Sequence, residues 1–88
     1  ARRGGTTATY DQLNKYFLIN QMPVISGRYW NMVHGSTPEQ VKQDLEGMQN
    51  MRFLARNLAW VLKSFKLAKE SGIVPPIQEE VIMTNFIR

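Results

Sequence analysis

The chain has 88 residues, 43% of them hydrophobic and 20% charged, and its eleven Lys and Arg outnumber seven Asp and Glu to give a formal net charge of +4. That charge permits attraction to phosphates, acidic proteins or anionic surfaces without requiring nucleic acid. The absence of cysteine excludes a disulfide framework and a thiolate metal site, no apolar run approaches the roughly 18–20 residues that span a bilayer, and no signal peptide is visible, so a soluble, cytoplasmic chain is expected.

A domain of this length buries only about 60–65% of its unfolded surface, so a partner chain or a missing segment is expected. The chain opens on Ala1 and runs at once into Arg2-Arg3-Gly4-Gly5-Thr6-Thr7 with no strand before it, which reads as the start of a fragment. This glycine-rich stretch leads into a helix N-terminus, where free N–H groups face a carbonyl-rich or anionic ligand. Two adjacent glycines also let a flat ring approach the backbone. No Gly-Lys-Ser/Thr follows, so it is not a P-loop.

Tyr10, Leu13 and Phe17 form an i, i+3, i+7 stripe, which predicts a short amphipathic helix between Thr6 and Asn20. Its start lies between Thr6 and Thr9, because Thr9 and Gln12 also satisfy a capping box. Met22-Pro23-Val24-Ile25 is short, apolar and bounded by polar or glycine positions, so it is expected to form a buried parallel strand with Pro23 at its beginning. The loop that follows carries Tyr29-Trp30-Asn31, flat apolar surface beside an amide, in a position where α/β proteins place ligands. His34 is the sole histidine and has no second ligand or carboxylate close in sequence, so a surface or hydrogen-bonding role is expected of it.

Thr37-Pro38-Glu39-Gln40 places Thr at N-cap, Pro at N1 and Gln at N3, which predicts a helix starting at Pro38. Val41, Leu45 and Met48 form its first apolar stripe. A second stripe, Met51, Leu54, Leu58, Val61, Leu62 and Phe65, is rotated by more than about 100° from the first, so the helix must kink or break near Gly47 or change neighbours there. Arg52, Arg56, Lys63 and Lys66 lie opposite the second stripe, while Phe53 and Trp60 widen its flank as a candidate subunit contact. Gly72 and Val74-Pro75-Pro76 end the helix near Ser71, and the apolar tail from Ile77 to Arg88 is expected to pack on the body or on a partner.

Taken together, Arg-Arg-Gly-Gly-Thr, the helix, Met22-Pro23-Val24-Ile25, Tyr29-Trp30-Asn31 and Ala55-Arg56-Asn57-Leu58-Ala59-Trp60 in the long helix resemble the C-terminal half of NAD(P)H-dependent FMN reductases of the flavodoxin-like superfamily, including multimeric flavodoxin and iron-sulfur flavoprotein relatives. The closing Thr84-Asn85-Phe86-Ile87-Arg88 is similar to the end of such chains. The resemblance implies an α/β fold, a doubly wound parallel sheet to which this chain contributes a helix, strand and helix, with residues 1–72 as core and 73–88 as C-terminal extension. It implies FMN held by Arg2, Arg3, Gly4, Gly5, Thr6, Tyr29, Trp30 and Asn31, with NAD(P)H as reductant. Hydride then passes through the flavin to a quinone, azo, nitro or other acceptor.

No catalytic acid or base and no metal ligand is nominated. The resemblance further implies that the N-terminal half of the domain is missing, that the chain is inactive alone, and that the protein is a homo-oligomer with neither nucleic acid nor membrane as partner. The competing expectation is a basic helical interaction fragment that binds an acidic partner or nucleic acid through Arg52, Arg56, Lys63 and Lys66.

Overall fold

The computed structural model describes residues 4–87, in which α1 (Thr6–Ile19), α2 (Pro38–Gln43) and α3 (Leu45–Glu70) follow in order. Helix α1 begins at the earlier of its two possible starts. Thr9 is already inside it, and both its backbone N–H and its hydroxyl donate to the Gly5 carbonyl, at 3.0 and 2.8 Å. At the other end Gln21 takes the left-handed conformation (φ 57°), its N–H donates to Leu18 O, and the Met22 N–H donates to Phe17 O. This is a Schellman closure, with glutamine where glycine is usual.

The expected α/β flavodoxin-like doubly wound parallel sheet is not what the chain forms: no residue among those described is in a strand. Met22–Ile25 is non-helical, as anticipated, but it has no ladder beside it. A strand exists only by exchanging backbone hydrogen bonds with a neighbour, and an isolated extended run lacks one. Met22 spends its N–H closing α1, and Pro23 has none to give. The helix-strand-helix portion is therefore corrected to three helices joined by irregular segments.

Helix α2 starts at Pro38, as its cap predicted, with the Thr37 Oγ1 accepting from Gln40 N at 3.3 Å. The Gln40 side chain reaches back one residue further than a standard box, accepting from Ser36 N at 2.8 Å. The rotation between the two apolar stripes is resolved by a break. Asp44, with a non-helical ψ of 78°, ends α2 and caps α3 by accepting from Gly47 N at 2.9 Å. Helix α3 then runs 26 residues and closes in a second Schellman turn, with Gly72 at φ +86° and Ile73 N donating to Ala68 O.

Segment 25–34 crosses the N-terminal half of α3. Gly27 lies against it so closely that a Cβ there would sit 3.4 Å from the Leu54 Cβ and N. Asn57 Nδ2 donates to Ser26 O at 2.8 Å, which pins the crossing. Gly47 and Asn50 are buried beneath this segment, and Met51, Leu54 and Val61 are half-buried. Leu58, Leu62 and Phe65, expected on the packed stripe, remain exposed.

No apolar side chain among the described residues is fully buried. The chain exposes 8483 Å², against roughly 5,300 Å² for a compact monomer of its mass. Its radius of gyration is 18.3 Å, against about 12 Å for a globular chain of this length. The local turns and caps are made, and the apolar faces they align stay exposed.

Candidate functional site

The most constructed surface is the junction between the aromatic loop and the start of α3. Arg28 Nη1 approaches Gln49 Oε1 and Asn50 Oδ1, each at 3.5 Å, the long limit of a hydrogen bond. Asn50 is only 3% exposed, so its amide forms part of the floor. The Met32 N–H donates back to Trp30 O at 2.9 Å, which tightens the turn and leaves Tyr29 and Trp30 projecting, about half exposed, with ring centroids 5.2 Å apart and planes tilted by 43°. Between them and the N-terminus of α3 lies an open cavity of about 180 Å³, walled by Tyr29, Trp30, Met32, His34, Asp44 and Glu46 over Gly47 and Asn50.

Asp44 organises this cavity. One carboxylate oxygen caps α3 and the other accepts from His34 N at 2.7 Å, so a single side chain ties the loop to the helix. The Gly47 N–H bond, and next the His34 N–H bond, hold its carboxyl below the ordinary aspartate value of 3.8. Both bonds favour the ionised form. A depressed folded-state value means that the stabilisation is fully present above the unfolded-state pKa and is lost as pH falls through the folded-state pKa. Amide exchange at His34 and Gly47 is therefore expected to stay slow through mild acid and to accelerate only as pH drops below the ordinary aspartate range. Asp44→Asn removes that transition, and an onset well above the range would contradict the assignment.

Of the residues expected to face a ring, Tyr29 and Trp30 line the cavity. Asn31 does not present its amide oxygen there: Oδ1 is buried without a hydrogen-bond partner among the described residues, 3.5 Å from where a Gly27 Cβ would stand. Gly4 and Gly5 are exposed at the head of α1 and Thr6 is half-buried, and none of the three lines this cavity. Arg2 and Arg3 lie outside the described residues. Asp44, Glu46 and Asn50 were missed at the level of sequence, although Asp44-x-x-Gly47 beside the stripe rotation is a readable N-cap signal.

The residues present fit one face or edge of a planar aromatic ring. They do not suit a phosphate, because the carboxylates of Asp44 and Glu46 stand at the wall, and at about 180 Å³ the cavity is smaller than the roughly 300 Å³ at which small-molecule sites begin, so it takes part of a ring system and not a whole cofactor. Among the described residues no cluster of three His, Asp or Glu side chains is arranged to hold a metal ion, and no helix is long and apolar enough to cross a membrane. No model of a known protein family, no curated protein and no solved structure matches the chain.

Proposed function

We propose that the chain is one part of an FMN-dependent NAD(P)H oxidoreductase and supplies an aromatic wall of its flavin site. The observation that carries this reading is the Tyr29–Trp30 pair, held on a turn by the backbone and by the anchored Ser26–Arg28 segment, with its rings left facing an open cavity. The resemblance of the joint motif to FMN reductases supplies the identity of the ring. FMN brings the hydride chemistry, and these residues hold one side of it and keep water from that side. The phosphate is left to a part of the protein beyond these residues, which accords with a chain that leaves its apolar faces uncovered. The acceptor class is the quinone, azo or nitro set implied by the same resemblance.

The test is the visible spectrum and flavin stoichiometry of the intact gene product. Bound flavin is expected, and Trp30→Ala should weaken it by roughly tenfold or more, the scale of a lost aromatic contact worth about 1.5 kcal/mol. A colourless protein, or undiminished flavin after Trp30→Ala, removes the reading. A colourless protein with salt-sensitive binding to a polyanion would instead support the basic-helix alternative.

A further inference from the structure

Outside the junction, two surfaces lack a partner in the chain. The first is a stripe on the outer flank of α3, where Phe53, Trp60 and Leu67 recur every seven residues and so stay near one line along the helix. Trp60 is 71% exposed and Leu67 65%. Arg56 and Lys63 border this stripe, and Lys66 beyond them is paired with Glu70 at 3.7 Å. The second is the C-terminal arm, residues 77–87. Its six large apolar side chains, from Ile77 to Ile87, are 79–97% exposed, and Glu79 and Glu80 near its start are the charged residues that precede Arg88. Its side-chain hydrogen bonds stay within the arm and its Pro-Pro lead-in: Gln78 to the Pro76 carbonyl, and Ile87 N to Asn85. The Schellman turn at Gly72 brings the lead-in, residues 73–76, back beside Phe65, Ala68 and Lys69 at the end of α3, and the arm beyond it leaves its large apolar side chains exposed.

We propose that the occupant of the α3 stripe is the C-terminal arm of a second copy of this chain, exchanged reciprocally. Charge chooses the occupant. Two copies pairing α3 against α3 would set one basic ridge against the other, whereas the arm brings apolar side chains with two carboxylates into a stripe bordered by Arg56 and Lys63. Length agrees: eleven extended residues reach about 36 Å, and Phe53 to Leu67 spans roughly 21 Å of helix. Area agrees as well, because the surplus exposure over a compact monomer, roughly 3,000 Å², exceeds the roughly 800 Å² per partner of a standard interface. This inference does not rest on the flavin reading, and its test uses no flavin signal.

The full chain is examined by sedimentation equilibrium. The native chain is expected to be a dimer that weakens with added salt. Glu79→Lys with Glu80→Lys should raise the dissociation constant by roughly tenfold, two exposed charge pairs being lost. Adding Arg56→Glu with Lys63→Glu to that chain should restore dimerisation. Because the chain has no cysteine, Lys63→Cys in one copy and Glu80→Cys in another also provide a clean cross-link, expected between chains when the two are mixed. A monomeric native chain, a dimer indifferent to the charge reversal, or a disulfide that closes only within a chain carrying both substitutions would each overturn the proposal.

Discussion

Gly35→Ala is expected to open the aromatic-loop junction, lowering its local stability by about 1–3 kcal/mol, the usual cost of forcing an extra carbon into a packed contact. A Cβ at this position would stand 2.6 Å from Val41 N and 2.7 Å from Val41 Cγ2, closer than such atoms approach, and the obstacle is backbone in the first turn of α2. That turn cannot give way cheaply. Thr37 caps it, and Val41 N is held by the Thr37 carbonyl at 3.0 Å. The loop cannot give way either, because the residues on both sides of Gly35 are bonded: His34 N to Asp44 and Ser36 N to Gln40. One of these hydrogen bonds must break. The measurement is amide exchange at His34 and Ser36, expected to rise by roughly ten- to a hundredfold. Gly4→Ala is the control, since a Cβ there meets nothing within 4 Å. Unchanged protection in Gly35→Ala would show that the loop has slack.

This junction also shows how far the sequence could be read. Thr37-Pro38 and Gly72 announce helix ends through chemistry contained in the few residues themselves, and both ends form where that chemistry requires. The break at Asp44 was visible as a rotation of the apolar stripe near Gly47, three residues from the residue that makes it. Met22–Ile25 failed for a different reason. Whether an extended apolar run becomes a strand is decided by another strand's hydrogen-bonding edge, and composition alone cannot supply one. Helix α1 repeats the lesson at the level of burial. Leu13 and Phe17 share a face with Tyr10, yet both stay exposed, because amphipathicity aligns a face without providing the surface that covers it. The aromatic turn was legible as exposed chemistry. Its floor was not, since Asn50 and Gly47 become a floor only when segment 25–34 crosses α3, a contact set by Gly27 and the Asn57–Ser26 bond.

The same floor supports a prediction whose sign depends on a neighbour. Gly47 sits in the first turn of α3, where alanine is favoured over glycine by up to about 1 kcal/mol in a helix. Even so, Gly47→Ala is expected to destabilise the native chain, because the new Cβ would collide with the Asp44 carboxylate that caps the helix and would come within 3.0 Å of the Met32 carbonyl. The collision displaces the group that also holds His34 N, so one methyl severs helix cap and loop anchor together. In an Asp44→Ala background the carboxylate is gone and the His34 anchor is already lost, so the nearest remaining obstacle is the Met32 carbonyl, on a stretch of loop that has lost one of its ties to α3. There Gly47→Ala should be neutral or stabilising through its helix preference. Two residues this close are expected to be non-additive, so the double-mutant cycle carries the information. Helix content and amide protection across residues 45–51 measure it in all four chains. Equal losses from Gly47→Ala in both backgrounds would mean that the collision is with the Met32 carbonyl and not with the Asp44 carboxylate that joins helix cap and loop anchor.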